Sequence, residues 1–575
     1  MFNYTLREQG IDIVDTVLSN RSLTMKDANL IMNATFDDCN LEFSELKNID
    51  KAAKLLNNAL DKCFKIGILI DSDCDGYCSS AMMFHYLTET IGYKNVVYKF
   101  HDKPKAHGIQ DYVIEWAIKE KLELLIVPDA GCGASDEIGQ KTLSDLGMDI
   151  LILDHHIPEY TPCETVVIVN PHQSDDTYLN KYLSGAGVTH KFIEHHSKGL
   201  NLEYLYSDLF ALSLVSDMMN LRDSIENRAY LNFGSSKVKA PFILEAIKGK
   251  VEDEKISIHD FAFSIAPLIN ATVRFGNDEE RNIVFRSLFS DELVSSKKRG
   301  IVGKLVPIAV EAFRIAGNLK RKQDKERDKG VNTLSNIIDE LDVENNKVII
   351  IIVDEILSPA VSGLVANKLV DKYSKPVMLL RTTDDNILSG SARTVNKNPN
   401  LKKFKSICLS TGLFEFCSGH EGSFGVGFKY ENLANINSKF EEIFRDIKFD
   451  TSYELDGVYD EKIPFSDIKD IANLKDLWCF DIKEPLFLVK NIRINTGDIK
   501  KIGNATYTFK FNKTTFTKFF GSKVWFSKFK LEDELPFGGD IKADIICKFK
   551  KYNETYIAEI VDVISNVDTV EGYDF

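Results

Sequence analysis

Residues 65–76 read KIGILIDSDCDG: an unbroken apolar run, then Asp71, Asp73 and Asp75 in alternation, then a turn-forming glycine. A short apolar run bounded by turn residues is the pattern of a strand buried on both faces, and such strands belong to parallel sheets covered by helices. The pattern recurs twice downstream. LELLIV leads into Asp129 in VPDAG, and MDILIL leads into Asp154-His155-His156. Stretches of helical spacing separate these runs, so residues 64–230 alternate between the two periods. Strands are expected at 65–70, 96–100, 123–128, 149–153 and 165–169, and helices at 77–90, 110–120, 135–146, 186–196 and 205–219. That alternation predicts an α/β domain with a parallel sheet, helices on both faces and a site at the carboxyl ends of the strands. The acids and histidines fall at those ends.

Taken singly, each acid has an ordinary explanation. DxDxDG also opens an EF-hand loop, but that motif needs a bidentate Glu at its twelfth position, and counting from Asp71 this chain has Met82 there. Asp129 alone reads as a turn or helix-cap acid, and Asp154 as a loop cap. Together they mean more, because four separate chain segments deliver an oxygen or imidazole ligand, the fourth being Asp217 in LVSDMMN. A carboxylate-rich set with one or two histidines suits Mn²⁺ or Mg²⁺. Two such ions about 3.5–4 Å apart activate water and clamp a phosphoryl group for in-line attack.

The rest of the chain sets the context. At 575 residues it exceeds what one core organises. Ten cysteines without a CxxC pair suit reduced thiols in the cytoplasm, and no secretory or membrane-spanning segment is evident, so a soluble cytoplasmic protein is expected. The net charge of −15 says little about any one groove, since Lys and Arg cluster locally. Residues 1–63 carry amphipathic helical patterns (SLTMKDANLIM, LKNIDKAAKLLNNALDKC) and read as an N-terminal helical adaptor. Residues 231–345 read as a helical connector, with the charged run NLKRKQDKERDKG at 318–330 as a solvated helix. A second, smaller α/β domain spans 346–454, from KVIIIIVDE through SPAVSGLVANKLVDKY and KPVMLL to the Gly-rich LSGSAR and SGHEGSFGVGF. Short alternating strands fill 455–575 and predict a small OB-like β-barrel.

Within that last region, Tyr507–Lys530 holds six lysines, no acid and nine aromatic residues. Half of the aromatics must be core, yet alternation can set the others beside cations, an arrangement that stacks bases and tracks phosphates. Lys510, Lys518, Lys523, Trp525 and Lys528 are the candidate contacts with a single strand.

The motif series DSDCDG, PDAG, DHH and SD, followed by NPH at 170–172, LSGAGV at 183–188 and ENR at 226–228, resembles the DHH phosphoesterase superfamily, in particular its RecJ-type single-strand DNA exonucleases. The likeness continues through IAPLINATVRFG at 265–276, the SPAVSGLVANKL helix, GSAR at 390–393 and SGH at 418–420, and covers most of the chain from about residue 64. The resemblance implies a DHH catalytic domain, linking helices, a DHHA1-like substrate-binding domain and a terminal OB-like barrel. It implies that Asp75, Asp129, His155 and Asp217 ligate one metal, that Asp73 and a bridging Asp129 hold a second with help from Asp71, and that His156 acts near the substrate phosphate. Asn270 with Arg274, Ser391 with Arg393, and His420 correspond to the family's substrate-side groups.

The chain departs from the family in three places. It has FHDKPKAHGI at 100–109 where an Arg followed by GYG is usual, leaving Lys103, Lys105 and His107 as possible replacements. The segment entering the barrel is FDIKEPLF at 480–487, and Ser418 stands for the first Gly of GGH. The expected activity is metal-dependent 5′→3′ hydrolysis of single-stranded DNA to 5′-mononucleotides in recombination, repair or replication, with a single-strand-binding protein or a helicase as candidate partner and no membrane involved. Two alternatives stand beside it: a DHH phosphodiesterase of short oligonucleotides or cyclic dinucleotides, and a non-enzymatic replisome scaffold. The 455–575 tail argues against the first, and the filled ligand positions against the second.

Overall fold

In the computed structural model of the protein, strands β1 (Ile66–Ile70), β2 (Val96–Phe100), β3 (Leu124–Pro128), β4 (Asp149–Leu153) and β5 (Val166–Val169) form one parallel sheet in the order β2-β1-β3-β4-β5. The structure describes residues 3–39, 45–103, 106–160, 165–198, 205–249, 255–383, 385–395, 401, 403–447, 449, 452–495, 498–502, 506–519, 540–552 and 554–566. β1 and β3 are buried along their whole length, which is why they carry no polar alternation. On one side Leu69, Leu125, Val127, Ile150 and Ile152 share a core with Val113, Ala117 and Leu143 of helices Asp111–Glu120 and Asp136–Asp145. Pointing the other way, Ile68, Ile70, Ile126 and Leu151 are equally buried, and helices Cys74–His85 and Gly185–His196 pack against the strands. Parallel pairing sets Pro128 of β3 beside Leu153 of β4. Their next residues, Asp129 and Asp154, therefore leave the sheet at the same edge.

This sheet lies in a unit made of Leu41–Met219 and Phe233–Asp450. The same unit contains helices Ala266–Phe275 and Asp278–Arg286 and the long helix Ile308–Glu340. The charged run at 318–330 is helical as expected, but it is not solvated all round. Leu319, Gln323 and Gly330 are buried, while Lys320, Asp324 and Arg327 pair along the outer face. A second, mixed sheet follows: β6 (Ile349–Ile352), β7 (Val377–Thr382), β8 (Ile387–Arg393), β9 (Phe416–His420) and β10 (Ser423–Lys429), ordered β9-β10-β8-β7-β6 with only β6 and β7 parallel. Helix Ser362–Tyr373 connects that parallel pair, as a crossover must.

The other unit joins Met1–Asn40, Asn220–Asn232 and Thr451–Phe575. Tyr4–Leu6 runs parallel to Tyr453–Leu455, tying the first residues to this unit. Its main sheet has seven strands: β11 (Gly457–Asp460), β12 (Phe487–Asn495), β13 (Lys500–Ile502), β14 (Thr506–Phe511), β15 (Thr514–Lys518), β16 (Asp540–Tyr552) and β17 (Thr555–Asn566), ordered β11-β12-β16-β17-β15-β14-β13. Among the described residues no ladder joins the edge strands β11 and β13, so the sheet is open rather than closed into a barrel.

A buried ion pair fastens the N-terminal segment here. Arg21 donates to Asp456 through Nη1 at 2.9 Å and Nη2 at 3.0 Å, and also to the carbonyls of Val17 and Lys483. Removing one partner strands the other charge in a place without water. Arg21→Met is expected to cost about 3–5 kcal/mol of this unit's stability, read as an earlier urea transition, whereas Arg7→Met, whose half-buried side chain pairs mainly with the exposed Glu454, is expected to cost about 1 kcal/mol.

Candidate metal centre

The site is built where strands stop. β1 ends at Ile70, and helix Cys74–His85 starts almost at once with Asp73 as its N-cap, accepting the Gly76 amide at 2.9 Å. A side chain at position 76 would come within 2.6 Å of Asp71 Cβ, so glycine is what lets this helix begin so close to the strand end. Asp75 lies in the first turn. Its two oxygens accept the amides of Gly185 and Ala186, each at 2.8 Å, at the positive end of helix Gly185–His196. After β3, Asp129 adopts a left-handed backbone with φ +65°, uncommon for a residue with a side chain, and its amide bonds to Leu153 O at 2.8 Å. Asp217 closes helix Ser207–Ser216 as its C-cap.

These elements bring all seven of the expected acids and histidines together. His155 Nε2 stands 3.2 Å from Asp129 Oδ1, 3.5 Å from Asp217 Oδ2 and 3.9 Å from Asp75 Oδ2. Ligand atoms of Asp75, His155 and Asp217 lie within 4.8 Å of one another, as do those of Asp71, Asp73 and Asp129. Asp129, Asp154, His155 and His156 make a third such group. The oxygens of Asp154 are already engaged, however: Oδ1 accepts the His155 amide at 2.7 Å, the His156 amide at 3.2 Å and His156 Nδ1 at 2.8 Å, and Oδ2 accepts the Cys132 amide at 3.0 Å. Asp154 therefore orients the two histidines.

The electrostatics call for a cation. Burial, then repulsion from Asp73, pushes the Asp75 carboxyl up to about 7 despite its two amide donors. Burial and the neighbouring acids drive Asp129 and Asp217 well above the usual carboxylate range. Asp217 Oδ2 is buried with no hydrogen bond. Oxygen donors that repel one another around a single imidazole fit a hard divalent ion, which removes the repulsion. Two neighbours behave oppositely. Burial alone would raise Asp71, but His107 Nδ1 at 2.6 Å and His101 Nε2 at 3.5 Å outweigh it and hold the carboxyl low. Burial disfavours charge on His156, yet Asp154 lifts that imidazole to about 10.

The substrate-side candidates lie in the same unit. Asn270 and Arg274 occupy successive turns of helix Ala266–Phe275. Burial lowers the Arg274 guanidinium while the charge of Asp73 raises it, and Asn270 Oδ1 is buried without a partner. Ser391 and Arg393 lie on β8. Burial and the charge of Arg274 bring Arg393 down to about 10, and a Cβ on Gly363 would come 2.4 Å from its Nη2. His420 ends β9, paired with Ser423 through the backbone, and its side chain falls outside the described residues.

In the other unit Lys510 is exposed on β14, whereas Lys518 turns inward and donates to the carbonyls of Ile560 and Val561. Phe509 and Phe516 stack in the core, as expected for half of these aromatics. Lys523, Trp525 and Lys528 lie outside the described residues. Of the three candidates at the departure from the family pattern, His107 meets Asp71, Lys103 is exposed and Lys105 lies outside the described residues. The motifs gave no sign of His101, nor of Asp136, which accepts the Ile109 and Gly133 amides at 2.6 and 3.2 Å and so pins the loop carrying His107.

Comparison with known proteins identifies the family. The DHH family, N-terminal domain, matches residues 65–214, and the DHHA1 domain matches 345–446. The putative SPbeta prophage-derived single-strand DNA-specific exonuclease YorK of Bacillus subtilis (strain 168) is 34% identical over 540 residues, spanning 92% of this chain and 90% of that protein. The single-stranded-DNA-specific exonuclease RecJ of the same organism is 27% identical over 80% of this chain and 56% of its own length. RecJ from Thermus thermophilus, solved in complex with Mn²⁺, shares the fold with a TM-score of 0.67 over 98% of this chain and 79% of that one, at 19% identity. With two family domains in sequence order and a relative matched almost from end to end, this chain belongs to the DHH family as a RecJ-type member.

Proposed function

We propose that this protein is a metal-dependent single-strand DNA exonuclease that works 5′→3′ and releases 5′-mononucleotides. The convergence of Asp71, Asp73, Asp75, Asp129, His155 and Asp217 at one sheet edge, with Arg274 beside Asp73, carries this assignment. Asp75, Asp129, His155 and Asp217 would hold one Mn²⁺ or Mg²⁺, and Asp73, Asp129 and Asp71 would hold a second. Divalent ions there would supply Lewis acidity toward the nucleophile and the phosphoryl oxygens.

The protein's own side chains do the positioning. Asp154 fixes the His156 ring and keeps it protonated, so its second N–H is available to a phosphate oxygen. Arg274 and Arg393 are near enough to feel each other's charge, an arrangement relieved when an anion lies between them. Asn270, Ser391 and His420 complete the substrate side. In this assignment 64–230 is the DHH catalytic domain, 231–345 the connector, 346–454 the DHHA1-like substrate domain and 455–575 an OB-like element that holds the strand through residues such as Lys510. The protein acts in the cytoplasm; no helix among the described residues is long and apolar enough to cross a membrane.

Matched single strands labelled at the 5′ or the 3′ end, digested with Mn²⁺, test the polarity. Immediate release of labelled mononucleotide from the 5′ label alone is expected. Release from the 3′ label first overturns the polarity, and cleavage confined to dinucleotides or cyclic dinucleotides makes the protein an oligonucleotide phosphodiesterase.

A further inference from the structure

We propose that the hairpin formed by Leu293–Ser295 and Leu305–Pro307 is a second contact for the nucleic acid, outside the metal centre, that grips the phosphate backbone of the substrate strand. The proposal rests on the reading of this protein as a DNA exonuclease. The segment 293–310, LVSSKKRGIVGKLVPIAV, carries four cations and no acid in a chain of net charge −15. Lys297 is bound to Glu279 at 2.7 Å. Among the described residues Lys298, Arg299 and Lys304 are exposed and make no ion pair.

The cations are presented on a rigid frame. The tip is closed by Ser296 N to Lys304 O and Gly303 N to Ser296 O, both at 2.9 Å, and by Ile301 N to Lys298 O and Lys304 N to Ile301 O, both at 3.1 Å. Gly300 and Gly303 supply the left-handed turns with φ +88° and +81°. At the base, the buried Glu311 carboxylate accepts the Ser296 hydroxyl at 3.2 Å and the Lys297 amide at 3.1 Å, and is neutralised by Arg314 at 2.5 Å. A hairpin so anchored loses little freedom when it binds, which raises the affinity its charges can deliver. Leu293, Val302 and Leu305 are 59%, 71% and 67% exposed. Lysines that merely guard a strand edge account for the charge but not for apolar side chains left in water among them. Cations interleaved with exposed apolar groups match a strand that offers phosphates and sugar or base faces in turn.

The test uses the full-length protein with Asp129→Ala in every variant, so that the strand is bound without being consumed. Lys298→Glu, Arg299→Glu and Lys304→Glu together are expected to weaken binding of a long fluorescent single strand by about tenfold or more. Three lost contacts at ~0.7 each should also make the slope of log affinity against log salt shallower by about 2. Lys298→Arg with Lys304→Arg should keep both values. Unchanged affinity and slope in the triple variant, with the parent binding DNA, overturn the hairpin contact alone. Lost affinity at an unchanged slope also overturns it, since that marks structural damage, and so does loss of binding to an acidic peptide or anionic vesicle while DNA binding persists. A parent that binds no DNA overturns the exonuclease assignment first.

Discussion

Asp129→Ala is expected to abolish nucleotide release, by on the order of 10⁴-fold or more, while the long strand still binds. No other carboxylate at the centre is placed as this one is. It meets His155 at 3.2 Å, it lies in the cluster with Asp71 and Asp73, and its charge is opposed by four other acids. Removing it takes a ligand from both proposed metal positions at once. The same change relieves repulsion, because a carboxyl held far above its ordinary range in the fold opposes folding increasingly as pH rises above the unfolded value near 4. In chelator at neutral pH the variant is therefore expected to melt higher than the wild type. Added Mn²⁺ should raise the melting temperature of the wild type and leave the variant nearly unmoved. A wild type insensitive to Mn²⁺ in both melting and cleavage would sink the metal-centre assignment.

The second large effect comes from a residue with no side chain. A Cβ on Gly185 would lie 2.3 Å from Asp129 Oδ1 and 2.4 Å from Asp129 Cβ, while the Gly185 amide holds Asp75 Oδ2 at 2.8 Å. Gly185→Ala must therefore push Asp129 aside or pull the helix start away from Asp75. Displacing a reacting group by about 1 Å costs about 10²-fold in rate, and here two ligands are at stake. A fall in kcat of about 10²-fold or more is expected with the fold retained, measured beside Gly317→Ala as control. Gly317 lies inside helix Ile308–Glu340 with nothing within 4 Å of a built Cβ, so alanine there should add about 0.5–1 kcal/mol of stability and leave cleavage intact. Full activity in Gly185→Ala would mean that Asp129 is not held where the geometry puts it.

The sequence alone determined the α/β alternation, because burial on both faces forces whole strands to be apolar and the run KIGILI or LELLIV says so within a few residues. It also determined that Asp71, Asp73, Asp75, Asp129, His155 and His156 leave the sheet at one edge, since parallel strands all end on the same side; Asp217, at the end of helix Ser207–Ser216, joins them only through the packing of that helix. Tertiary structure alone decided what each group does there. Asp154 turns out to be consumed by amides and His156, His101 and His107 converge on Asp71, and Gly185 is fixed by its distance from Asp129; none of these follows from spacing along the chain. The assignment of the first forty residues to the unit of the C-terminal strands, through Arg21 and Asp456, was equally illegible. Local periodicity reports which way a side chain faces, but a contact between residues more than four hundred positions apart depends on how whole elements pack, and no window of sequence contains both partners.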